Sequence, residues 1–84
     1  MAAIAKPDAV KDYQTRNALL AVIERVDNGS GPLPSFVSIP DIEVRKVLQG
    51  VASKLNGEVV TAPSPHSVSD YETRRILIDI ISNI

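Results

Sequence analysis

The chain contains no cysteine and no tryptophan, and it has a single histidine. Without thiols it forms no disulfide, zinc ribbon or iron–sulfur centre. Aromatic residues are nearly as scarce: Tyr13, Phe36 and Tyr71 are the whole set. They are too dispersed to build a stacking platform for bases. A surplus of one charge is missing as well. Nine basic residues stand against ten acidic ones, for a formal net charge of −1, which is not the footprint of a nucleic-acid binder. No apolar run approaches the ~18 residues that a membrane-spanning helix requires. The opening Met1-Ala2-Ala3-Ile4-Ala5 has no basic residue ahead of it and is too short for a signal-peptide core. The expectation is a cytoplasmic or virion protein without membrane association.

What the chain does have is aliphatic sequence cut into segments by six prolines and four glycines. Its 84 residues suit one small domain, 1–84, near the lower size limit for folding alone. The first segment predicts a helix over 7–27. Pro7 is suited to a first helical position, Asp8 and Asp12 to the positive end of the dipole. Leu19, Leu20, Val22, Ile23 and Val26 recur at helical spacing, and Asn28-Gly29-Ser30-Gly31-Pro32 stops the pattern. A second helix is expected over 39–56, opened by Ser38 with Asp41 in a capping box. Its stripe is Val44, Val47, Leu48, Val51 and Leu55, interrupted on the polar side by Gly50. A third is expected over 69–83, with Ser69 and Glu72 as its capping box. There Arg75–Ile81 competes as a strand because isoleucine is β-branched, and the cap signature favours helix. Ser35–Ser38 and Glu58–Thr61 read as short strands, 35–38 and 58–61. Paired with each other they make the second helix the crossover of a minimal right-handed β-α-β unit; the alternatives are extended loops or pairing with another chain. The expected class is therefore α+β and helix-dominated; the alternative is an all-α three-helix domain.

The two terminal helices open alike. Asp12-Tyr13-Gln14-Thr15-Arg16 is matched by Asp70-Tyr71-Glu72-Thr73-Arg74, with Leu19 then falling against Leu77 and Ile23 against Ile81. On a helical wheel Arg16 and Arg74 lie inside the apolar arc. Each has two readings: a guanidinium snorkelling beside the preceding aspartate, or an interface anchor of the type common in binding hot spots. The last helix also has an apolar arc wider than ~200°, against the ~100–140° that a surface helix usually shows. Such a face suits contact with another chain; the alternative is burial within the domain. Tyr13, Arg16, Tyr71, Arg74, Ile78 and Ile81 are the candidate interface residues.

Chemistry finds little support. His66 has Ser67 and Asp70 nearby, but all three share a proline-rich loop with no evident oxyanion donor. No pair of ligands shows a recognised metal spacing. Gly29-Ser30-Gly31 lacks the Gly-Lys-Ser/Thr of a phosphate loop and ends a helix where such a loop would begin one. The basic clusters Arg45-Lys46 with Lys54, and Arg74-Arg75, are punctuated by acidic residues. The expectation is a non-enzymatic interaction or assembly module without cofactor or metal, self-associating or docking on a protein partner through its Ile-rich last helix. A viral or phage structural component is one such role. A small regulatory protein or inhibitor that masks a partner's surface comes second, and a nucleic-acid-binding helical domain third.

Overall fold

The computed structural model describes residues 4–61 and 63–84. Met1, Ala2 and Ala3 of the opening segment, and Ala62 of the proline-rich connector, lie outside the described residues. Among the described residues the fold has three helices, α1 (Tyr13–Asn28), α2 (Ile42–Leu55) and α3 (Tyr71–Ser82), with one 3-10 turn, Pro65–Ser67, ahead of α3. Among the described residues no strand forms. The all-α reading holds, and the α+β expectation with strands at 35–38 and 58–61 is corrected.

The reason lies in how those segments find burial. The Phe36 carbonyl accepts the Ile39 amide at 3.1 Å, which folds 36–39 into a turn. Phe36 and Ile39 are then buried against the helices without a partner strand, while Val37 points to solvent. Val59 is fully exposed. β-Branched character supplies propensity only; a strand also needs a neighbouring backbone. The segment 75–81 lies inside α3, so its isoleucines serve a helix.

Helix starts also move. Each helix begins after an aspartate held in extended conformation: Asp12 (φ −73°, ψ 121°), Asp41 (−78°, 114°) and Asp70 (−76°, 119°). The α1 start shifts from the expected Pro7 to Tyr13 because 7–10 forms its own turn, the Pro7 carbonyl accepting the Val10 amide at 3.0 Å. Neither serine cap operates. Asp41 takes the amides of Glu43 and Val44, leaving the Ser38 hydroxyl to donate to Gln14 Oε1 at 3.2 Å. Asp70 takes the Thr73 amide in place of Ser69. A carboxylate carries a full negative charge to the helix N-terminus, which a hydroxyl does not. At the other end of α1, Gly29 adopts φ 74°, and its amide closes on the Arg25 carbonyl.

The three capping aspartates, Asp12, Asp41 and Asp70, are evenly spaced along the chain, and the structure repeats with them. One step before each helix, the carbonyls of Pro7, Phe36 and Pro65 accept the amides of Val10, Ile39 and Val68. Each aspartate is followed at the same interval by an arginine (Arg16, Arg45, Arg74) and then by a leucine. Those leucines, Leu19, Leu48 and Leu77, all have 0 % exposure. Val22, Val51 and Ile80 are equally buried, as are the triads Ala18, Val47, Ile76 and Thr15, Val44, Thr73. Each helix packs against both others. The fold is thus three copies of one turn–helix unit around a common core.

All three N-caps line a single pocket, so the helices start from the same end. At the far end Arg25 of α1 donates through Nη2 to the Leu55 carbonyl at 3.0 Å, which holds the C-termini of α1 and α2 together. Each connection therefore travels back along the helices before the next begins. That return path explains the long proline-containing connectors: they must cross most of a molecule only 28 Å in its longest dimension.

Candidate interaction surface

Helices place residues i, i+3, i+4 and i+7 on one face. On α3 that stripe is Tyr71, Arg74, Arg75 and Ile78. Tyr71 is 62 % and Ile78 43 % exposed, although both are large and apolar. The guanidinium carbons of Arg74 and Arg75 lie 5.9 and 5.6 Å from the Tyr71 ring centroid, within cation–π range. Arg75 also donates to Glu72 Oε1 at 3.1 Å. These contacts fix side chains that would otherwise sample many rotamers, which lowers the entropy a partner must take away on binding.

The same stripe recurs on α1 as Tyr13, Arg16, Asn17 and Leu20, with Tyr13 at 63 % and Leu20 at 42 % exposure. On α2 the corresponding residues are Ile42, Arg45, Lys46 and Gln49. Ile42 is exposed like the tyrosines, whereas Gln49 replaces the aliphatic end. Helical spacing within one element misses Leu20 and Ile42 as surface candidates. Their signal is positional: Leu20 is the repeat equivalent of Ile78, and Ile42 that of Tyr13 and Tyr71.

The candidate residues divide by environment. Tyr71, Arg74 and Ile78 come together on one stripe, and Tyr13 and Arg16 on its equivalent. Ile81 is half-buried against the hydrophobic core. Arg16 has a task within the fold: its Nε donates to the Val10 carbonyl at 3.1 Å, clamping the turn that precedes its own helix. Its acceptor is that carbonyl and not the Asp12 carboxylate. Arg45 repeats the clamp with two N–H groups on the Ile39 carbonyl, at 3.3 and 2.8 Å.

The pocket at the shared N-terminal end measures about 200 Å³, with Asp12, Asp41, Asp70 and Lys11 among its lining. One oxygen of each carboxylate is already committed to its own helix. Asp12 accepts the Thr15 amide and hydroxyl at 2.8 and 2.7 Å, and Asp70 those of Thr73 at 3.0 and 2.8 Å. The Thr73 hydroxyl is the main influence holding the Asp70 carboxyl below its usual value. The Thr73 amide and the Lys11 charge add to that effect, and burial opposes it. Among the described residues, no three His, Asp or Glu side chains are grouped to hold a metal ion. His66 is exposed in the 3-10 turn. Gly50 faces the connector: a Cβ there would come within 3.0 Å of Pro63 Cγ. The glycine thus admits a proline ring. Among the described residues, no helix is long and apolar enough to cross a membrane.

No known protein family matches this chain, and neither characterised proteins nor solved structures give a significant match.

Proposed function

We propose that this protein is a non-enzymatic assembly module that joins copies of itself or a larger protein partner through its exposed helix stripes. The observation that carries this reading is the pairing of Tyr71–Arg74–Ile78 on α3 with Tyr13–Arg16–Leu20 on α1. Exposed tyrosine and branched aliphatic side chains with a partly buried arginine between them in one stripe have the composition of a binding hot spot. Fully burying an aliphatic of this size is worth roughly 1.5–3 kcal/mol, and the isolated domain leaves somewhat under half of that unused at Ile78 (43 % exposed) and Leu20 (42 % exposed). Two equivalent stripes on one domain let it bridge two sites, which is what assembly requires. A cytoplasmic or virion setting accords with such a module.

The decisive experiment is Ile78→Lys, followed by sedimentation and circular dichroism. Ile78 projects outside the buried core, so helical signal is expected to persist while association weakens. Unfolding would place Ile78 in the core and remove the support for this reading. Unchanged sedimentation of a wild type that is itself monomeric would leave only a larger partner as the occupant. Affinity capture with wild-type and Ile78→Lys baits would then have to separate, and equal capture would end the proposal.

A further inference from the structure

We infer that the repeated turn–helix segment is a self-complementary unit whose binding partner is another such unit, and that the chain is a covalently joined trimer of it. The inference concerns the surfaces buried between the helices and does not depend on the exposed stripes. Its first support is that equivalent residues do equivalent work. The Asp12, Asp41 and Asp70 caps, the turns closed by Val10, Ile39 and Val68, and the fully buried Leu19, Leu48 and Leu77 occupy the same places in each unit. Its second support is closure. Each helix meets both others, so the third unit returns to the first and the arrangement is a ring, not an open stack.

A third support comes from positions that do not face the other units. Val37, Pro40, Lys46 and Gln49 of the middle unit are exposed. Their equivalents in the first unit are Asp8, Lys11, Asn17 and Leu20, which differ in charge, size or backbone freedom. The inward triads, by contrast, keep their burial throughout. Burial at the inward positions, and the leucine common to all three units, persists while the outer positions diverge, as expected where each unit packs on its neighbour. Equivalent interfaces related by rotation close into rings.

The ring predicts that a covalent link between Ile84 and Met1 is compatible with the fold. Val26 and Leu33 flank the first connection, and their equivalents across the open join are Ile84 and Ile4. Linking Ile84 to Met1 through an added Asn-Gly-Ser gives Ile84 and Ile4 the same separation as Val26 and Leu33. Full-length circular permutants joined in this way would open between Gly29 and Ser30, or between Glu58 and Val59, at exposed positions. Both should fold, with the helical circular dichroism of the parent and a single cooperative melt. If both fail while the linear chain carrying the same Asn-Gly-Ser extension folds, the units are not interchangeable and the inference falls. A second measurement covers kinetic failure of the permutants. A protease site placed between Glu58 and Val59 of the full chain is cut after folding, making the third unit a separate ligand. Helical signal should then rise with concentration, and the melting midpoint should increase as association is favoured. Loss of helix at every concentration overturns the inference.

Discussion

The middle unit and the two terminal units share a burial pattern, a capping aspartate and the arginine and leucine that follow it, and differ in how the cap is completed and in what faces outward. At the cap, Thr15 and Thr73 add a hydroxyl hydrogen bond to their aspartates, while Val44 occupies the same buried position with none to give. The middle unit compensates elsewhere: Arg45 brings two N–H groups to the turn carbonyl where Arg16 brings one. Outside, Tyr13 and Tyr71 correspond to Ile42, and Leu20 and Ile78 to Gln49. Folding constrains which positions are apolar and how each helix starts, and it leaves the outward chemistry free. That freedom lets the terminal units carry the exposed Tyr–Arg–aliphatic stripe proposed for docking, while the middle one carries a modified version.

The comparison can be broken most severely at the leucines. Leu19→Ala, Leu48→Ala and Leu77→Ala should each cost about 2–4 kcal/mol, since each opens a cavity in the common core. The three values should fall within about 1 kcal/mol of one another in chemical denaturation. A spread as large as the effect itself would show that the three sites are not equivalent. For a domain of this size any one of these losses consumes much of the total stability.

Next come the turn clamps. Arg45→Met should cost about 1–2 kcal/mol because a charged donor leaves a partly buried carbonyl. Arg16→Met should cost less, having one hydrogen bond to lose. Reversal of that order in thermal melts would show that donor number does not set the clamp's strength.

The caps sharpen the contrast further. Asp12→Ala, Asp41→Ala and Asp70→Ala should each cost about 1 kcal/mol. Asp70 also carries a pH signature. Its folded pKa lies below 3.8, so it favours the folded state above that pH, and the contribution fades as pH falls through the folded value. Thr73→Val, which imitates the middle unit, removes the largest cause of that depression. The acid-dependent loss assigned to Asp70 should then shrink and be complete at a higher pH, because the folded value moves towards the unfolded one, in a pH series of urea melts. An unmoved acid limb would show that the hydroxyl does not govern the carboxylate.

Gly50→Ala should have the smallest effect. Helix propensity favours alanine by about 1 kcal/mol, and contact with Pro63 at 3.0–3.4 Å opposes it. The two should nearly cancel, leaving the midpoint almost unmoved. A large loss would show that the connector cannot yield at Pro63.

The helices were legible from their periodicity, and the pairing of Asp12–Arg16 with Asp70–Arg74 from direct comparison. That pair is separated by two repeats, so it skips the middle unit. The midpoint, Asp41 with Arg45 and Leu48, is hidden because Ile42 and Val44 replace the tyrosine and threonine that make the match visible. The candidate stripe was legible in the same partial way. Tyr71, Arg74 and Ile78 follow from helical spacing on one element, but Leu20 and Ile42 acquire meaning only as their equivalents.

The sequence by itself determined which segments carry helices, which face of each is apolar, and that no disulfide cross-links the fold. These are local properties, set by side-chain periodicity and by residues that stop a helix. Tertiary structure alone decided that Phe36 and Ile39 find burial as a turn and not as a strand. It also decided that Asp41 displaces Ser38 as the cap, and that Arg16 reaches the Val10 carbonyl. Each of those outcomes depends on competing partners that lie apart in the chain or in another element, and the winner is set by which groups packing brings within hydrogen-bonding or van der Waals range. The three-fold arrangement belongs to the same class. The even spacing of Asp12, Asp41 and Asp70 is written in the chain, but the equivalence of the three units is established by burial around a shared core.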